Sequence, residues 1–332
     1  MITPATSPSR PARPALAVAR NSRVLVLAAL LVVCSASALI VSRIVVDDRM
    51  VVSVGSIKDV TALFKRLDYS RDNWSAPKPG VPRLLLSEIS PSLGAALADS
   101  ITVDQKKSVF LMFMAPLGLV ANEHILKDRE RLLELRNLAR LSSDEQSWLA
   151  DLAVRYRVSD DTDAPVTDDV LDALVDRVDA LPLSLILAQG AEESGWGTSR
   201  FATEGNALFG QWTWGRDGIT PGEQRSSLGD YKIAAFDTPL DSVEAYLLNV
   251  NSHNAYSALR DLRSKARESG DLPSGTNLAA GLSSYSERGE GYVESLRSII
   301  RTNDLRPMDG AGLREDNPTI IVKISEDRSI SR

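Results

Sequence analysis

The 332-residue chain has a single cysteine, Cys34, set in an apolar run, so no disulfide can form within it and no cysteine protease is expected. It has two histidines, His124 and His253, too few for a histidine-rich metal site. A Ser/His/Asp triad would have to use one of them, and no nucleophile elbow accompanies either. The acidic stretch from Ser159 to Asp169 lacks the carbonyl-rich spacing of a calcium loop, so no metal or other cofactor is expected. Strong positive charge is missing too. The net charge of −6 argues against a nucleic-acid partner, and binding to an anionic polymer would have to rest on stacking and hydrogen bonds. No internal repeat is present. Carboxylates are the acid–base groups left in quantity.

Aromatic residues make up only 5% of the chain, yet three of its five tryptophans, Trp196, Trp212 and Trp214, fall close together. Exposed indoles are costly outside a core or a binding site. Gly205, Gly210 and Gly215 interleave with them and let backbone approach a ligand. The stretch begins with a predicted helix. Pro182 suits the first helical position, and Leu183, Ile186, Leu187 and Gly190 share one apolar face. Gly195 and Gly197 end it. Glu193, three residues after Gly190, projects from that inward face. Partial desolvation, the adjacent Glu192 and the negative end of the helix dipole should all raise its pKa, as a general acid requires. The plainer alternative is a pair of solvated glutamates at a helix end.

Ala-Glu-Glu-Ser-Gly-Trp-Gly-Thr-Ser, from Ala191, followed by Gly-Asn-Ala-Leu-Phe-Gly, from Gly205, resembles the signature of the glucosaminidase domain of glycoside hydrolase family 73, in its bacterial Bax-type branch. The likeness is strongest from about Leu181 to Arg301. It implies a lysozyme-like fold and hydrolysis of the β-1,4 bond after N-acetylglucosamine in peptidoglycan, with Glu193 as the catalytic acid. It also implies that Tyr256, in Asn-Ala-Tyr after His253, helps to position substrate. Its ordinary alternative is a core tyrosine. Trp212 and Trp214 are the expected sugar platforms, with Trp196 more buried beside the helix end. Asn206, Phe209 and Gly210 should shape the cleft floor, Asn206 either bonding an acetamido group or capping a turn. Tyr285 and Tyr292 read as packing.

Glycoside hydrolysis usually takes two carboxyl groups. Glu223 is the expected second one, with Asp217, Glu204 and Asp230 as competitors, and the substrate's own acetamido group could replace it. Retention and inversion both stay open. So do a muramidase, a lytic transglycosylase and a non-catalytic wall-binding or scaffold protein.

The rest of the chain places this domain. Residues 1–23 read as a disordered basic cytoplasmic arm. Residues 24–42 are uncharged and apolar, long enough for a transmembrane anchor, and the flanking charges put everything after Asp47 outside the cytoplasm. A cleaved signal peptide ending near Ala36-Ser37-Ala38 is the rival reading. Residues 47–158 form a helical N-terminal region, with a short strand at Val51–Val54 and a helix from Thr102 to Arg140 that Pro116 and Gly118 should interrupt. His124 reads as structural, and Ser143 to Gln146 as a capping box. Residues 159–305 form the lysozyme-like domain, including a small β-hairpin flap around Tyr231–Ala235. Residues 306–332 look like a tail, with one possible strand at Ile320–Ile324. The expected fold is thus mainly α, of the α+β lysozyme-like kind, behind an N-terminal transmembrane helix. Its partners would be peptidoglycan strands and, through that helix, the inner membrane.

Overall fold

A computed structural model describes residues 44–46, 49–74, 80–215, 218–224, 229–315 and 319–324. The basic arm, the 24–42 anchor, the Ala36–Ala38 cleavage site, Cys34 and Asp217 lie outside the described residues. The chain enters as strands β1 (Ile44–Val46) and β2 (Arg49–Val54), followed by α1 (Ile57–Arg66), β3 (Leu84–Leu86) and α2 (Pro91–Asp99). Then come α3 (Val103–Arg136), α4 (Ser143–Arg155), α5 (Asp168–Arg177), α6 (Leu183–Ser194) and α7 (Arg200–Gly205). The flap strands are β4 (Trp212–Thr213) and β5 (Lys232–Ile233). Helices α8 (Pro239–Ser252), α9 (Ser257–Glu268), α10 (Gly275–Leu278) and α11 (Glu290–Thr302) lead to β6 (Thr319–Ile324).

Short hydroxyl side chains start most of the long helices. Thr102, Ser142, Thr167 and Thr238 each accept a backbone N–H in the first turn of α3, α4, α5 and α8. The box before α4 sits one residue earlier than expected. Ser142, not Ser143, is the cap, and Glu145 reaches back to the Ser142 N–H at 2.7 Å. Glu145 closes the bond with a charged acceptor, which the Gln146 alternative lacks. Pro182 likewise precedes α6 as its cap rather than occupying its first turn.

Helix α3 runs unbroken through Pro116 and Gly118, against the expected interruption. Proline removes one backbone bond, and the surrounding side chains from Val109 to Ala121 are almost all buried, so packing holds the helix together. Gly118 has a different use. A Cβ there would meet Leu183 Cδ1 at 2.8 Å, so its absence lets α6 lie close against α3. The apolar part of α3 would be long enough to cross a membrane, but 78% of that window is buried inside the protein, which makes it a core helix. Its core continues through α6, α8 and α11, so residues on both sides of position 158 share one hydrophobic interior.

The expectation of a mainly helical α+β chain holds, but its β part extends beyond the flap. A four-stranded sheet has the order β1-β2-β6-β3. β6 pairs in parallel with both β2 and β3, with Val52 opposite Val322 and Leu85 opposite Ile321. The stretch expected to be a tail therefore supplies an inner strand. Ile320 and Val322 are buried, and that alternation gives β6 its core-facing side. The flap is a separate antiparallel pair, with Trp212 opposite Ile233 and a further bridge from Ile219 to Ile233.

A buried ionic cluster fastens the turn after α5. Asp179, 3% exposed, lies within ion-pair distance of Arg129, Arg263 and Arg267. Arg263 also donates to the Asp179 and Asp176 carbonyls and to Asn251 Oδ1 at 2.7 Å. Burial pulls its pKa down to about 10, opposed by the carboxylates of Asp179 and Asp176. It remains charged at neutral pH. This knot ties α3, α5 and α9 around the segment that leads into α6.

Candidate active site

Helix α6 is buried along most of its length and ends where chemistry is expected. Gly195 caps it with φ 58°, and Trp196 (φ 62°) and Gly197 (φ 79°) continue in the left-handed region. Glycine occupies two of these three positions because side chains are strained there. The Gly197 N–H donates to Ser194 Oγ at 2.8 Å, which locks the turn. Trp196 is thereby directed into the fold, edge-on to Phe110 at 5.8 Å, with the Lys107 ammonium 5.3 Å over its ring. Its indole is used for packing, as its place beside the helix end suggested.

Glu193, one residue before the last of α6, is part-buried. The Tyr292 hydroxyl donates to its Oε1 at 2.7 Å. Its other oxygen, Oε2, lies 3.9 Å from where a Cβ on Gly210 would sit. Gly210 has φ 58°, a conformation that favours glycine, and it sets no side chain against Oε2. Burial raises the Glu193 pKa first and Glu192 adds to the rise, while the Tyr292 bond and Arg288 oppose it. Glu192 is itself paired with Arg288 at 2.6 Å, which moderates the repulsion anticipated from adjacent glutamates.

Four tyrosines surround this carboxylate. Tyr292 stacks on Tyr285 at 5.5 Å, and Tyr285 lies 5.8 Å from Tyr256. The Tyr285 hydroxyl donates to the Phe209 carbonyl at 3.2 Å. Tyr246 stacks on Phe209 at 3.9 Å, and its hydroxyl donates to Gln189. Burial and then the nearby Glu193 charge push the hydroxyls of Tyr285 and Tyr292 upward, and Glu193 also bears on Tyr246 and Tyr256. All four thus stay neutral as hydrogen-bonding groups. Tyr256 is nearly buried, and its pKa is raised first by burial.

The remaining expected residues divide. Trp212 (47% exposed) and Trp214 (66% exposed) stand at the flap with rings 6.4 Å apart, and Trp212 also lies 5.0 Å from Tyr231. They are open aromatic surfaces of the kind a sugar can stack on. Asn206 is different. Its Oδ1 accepts from the Ile89 N–H at 2.8 Å, and its Nδ2 donates to the carbonyls of Phe236 and Asp237. With these bonds made, the side chain ties two other backbone segments to the end of α7, which is the behaviour of the turn-capping alternative. Phe209 is buried and stacked on Tyr246. Glu223 and Asp230 are exposed on the segment between the flap strands, and Glu204 is paired with Arg200 at 3.2 Å. Among the described residues, no cluster of three His, Cys, Asp or Glu side chains could hold a metal ion.

The sequence reading missed Tyr292 as the partner of Glu193 and missed Gln189 and Tyr246 behind it. One signal was available for Gln189, which precedes Glu193 by one helical turn and so shares its face.

Comparison with known proteins bears on this region. Residues 170–305, which include Glu193 and all four tyrosines, match the glucosaminidase family described as mannosyl-glycoprotein endo-beta-N-acetylglucosaminidase. Protein bax of Escherichia coli (strain K12) is 31% identical over 199 residues, which are 60% of this chain and 70% of that protein. Among solved structures, the catalytic domain of the autolysin Auto from Listeria monocytogenes is similar at 19% identity, over 55% of this chain and 96% of that one, with a TM-score of 0.31.

Proposed function

Because this chain belongs to the bacterial Bax-type glucosaminidase family, we propose that it is a peptidoglycan hydrolase, an endo-β-N-acetylglucosaminidase with Glu193 as its general acid. The observation that carries the reading is the part-buried Glu193 carboxyl, held by Tyr292 on one oxygen and with the other beside Gly210. In the reaction, Glu193 gives its proton to the glycosidic oxygen as the bond from C1 to that oxygen breaks, the electron pair leaving with the oxygen. A water adds hydroxide to C1 and gives its other proton to the carboxylate acting as base, the second carboxylate where the configuration inverts and Glu193 where it is retained. Glu223 on the flap is the proposed second carboxylate, and the substrate acetamido group is the alternative nucleophile. Tyr256 lines the same aromatic cluster and is assigned to substrate positioning. The family's lysozyme-like fold and the 24–42 helix as an inner-membrane anchor, with the domain outside the cytoplasm, complete the proposal.

Digestion of purified peptidoglycan followed by mass analysis of the new ends tests it. N-Acetylglucosamine reducing ends are expected. Anhydro ends would assign a lytic transglycosylase and muramic acid ends a muramidase, whereas no product would leave a wall-binding scaffold.

Two further results are expected. Activity should fall as pH rises through the Glu193 pKa, because the acid form does the work. With that pKa raised by burial, the falling limb of kcat/KM against pH should lie above the ordinary carboxylate range. A limb at the unperturbed glutamate position would contradict the assignment. Trp214→Ala should raise KM about 2- to 10-fold, as loss of one stacking surface implies, with kcat nearly unchanged. A fall in kcat alone would remove Trp214 from ground-state binding.

A further inference from the structure

Three buried side chains form a directed line of hydrogen bonds ending on Glu193. The Tyr246 hydroxyl donates to Gln189 Oε1. Gln189 Nε2 donates to the Tyr292 hydroxyl at 3.0 Å, and that hydroxyl donates to Glu193 Oε1 at 2.7 Å. Gln189, Tyr246 and Tyr292 are all enclosed in the core. The direction follows from the proton inventory. An amide oxygen only accepts and an amide nitrogen only donates. Tyr246 gives its proton to the Gln189 oxygen, so the Gln189 nitrogen is turned toward Tyr292. Tyr292 then accepts from Gln189 and has its single proton left for Glu193. Glu193 Oε1 is therefore an acceptor whether the carboxyl is charged or neutral.

We infer that Gln189 is a positioning residue that orients Tyr292 so that the acidic proton of Glu193 resides on Oε2, the oxygen beside Gly210. The inference deepens the reading of Glu193 as general acid and rests on it. Without the Gln189 amide, the Tyr292 hydroxyl is free to turn and to accept from a neutral Glu193. The proton would then sit on Oε1, against the tyrosine and away from substrate. Gly210 suits the opposite outcome, since it sets no side chain against Oε2.

Infrared titration of the Glu193 carboxyl in the purified full chain, without substrate, tests this, the band being assigned by its loss in Glu193→Gln. Tyr292→Phe removes the donor and is expected to move the midpoint up by about one to two pH units, the effect of one charge-assisted hydrogen bond. Gln189→Met keeps the shape without the polar atoms and should move it the same way, by about half as much, because the freed hydroxyl donates only part of the time. Gln189→Glu offers no amide hydrogen and draws the Tyr292 proton to itself, so its midpoint should lie above that of Gln189→Met. A Gln189→Met midpoint equal to the parent's would overturn the inference, because a packing role alone predicts that result. Should Gln189→Met not fold, neutron diffraction of the parent below its midpoint decides. A deuteron on Oε2 is expected, and one on Oε1 would overturn the proposal. Neither measurement needs turnover, so a chain that leaves peptidoglycan uncut would remove the proposed function and still leave this result readable.

Discussion

Glu193→Gln is expected to lower peptidoglycan hydrolysis by a factor of about 10² or more, the usual contribution of a positioned general acid. Glutamine keeps the length and an oxygen that can accept from Tyr292, so the contact at Oε1 survives while the transferable proton is lost. Folding should survive as well. A carboxyl whose folded pKa is raised favours the native state below its unfolded pKa, and that advantage is lost as pH rises through the folded value. Above that folded value the parent therefore carries the cost of a partly desolvated charge, and the neutral glutamine does not. Glu193→Gln should denature at an equal or higher denaturant concentration than the parent while failing to release glycan fragments. Full activity on purified peptidoglycan would remove Glu193 from the chemistry. Lost activity together with a lower denaturation midpoint would point to a structural role.

Asp179→Ala is expected to destabilise the protein by about 3–5 kcal/mol, the range for removing one partner of a buried ion pair. Arg263, 1% exposed, would keep its charge without its carboxylate neighbour, with Arg129 and Arg267 close by. The bonds that Arg263 makes to carbonyls cannot replace a countercharge. Chemical denaturation at neutral pH checks the magnitude. A loss below about 1 kcal/mol, the level of a surface pair, would mean that water reaches the cluster. Arg267→Ala should cost less, because Arg267 is 41% exposed and two arginines remain on Asp179.

These two sites differ in how far the sequence announced them. Glu193 was legible because everything that marks it is local: an apolar helical face, the glycines that end the helix, and tryptophans within reach along the chain. The β4–β5 flap was legible for the same reason. Tyr292 was not, since it lies 99 residues from Glu193, and only the packing of α11 on α6 brings them together. Strand β6 was legible as a possible strand at Ile320–Ile324, but its inner place in a sheet was not, because its partners Val52 and Leu85 are far away in sequence. Pro116 misled in the opposite direction, because the propensity of one residue is weaker than the burial of its neighbours on every side of α3. Asn206 carried the right turn chemistry, but its bonds to Ile89 and Phe236 span positions that a local reading could not supply.

The place of β6 between β2 and β3 also bears on how the protein comes into being. Ribosomes deliver β2 and β3 well before β6, and although β2 already has β1 beside it, β2 and β3 are joined in one sheet only through β6. The parallel pairings of β6 therefore wait for the helices between these strands to be made, and pairings over such separations form slowly in any case.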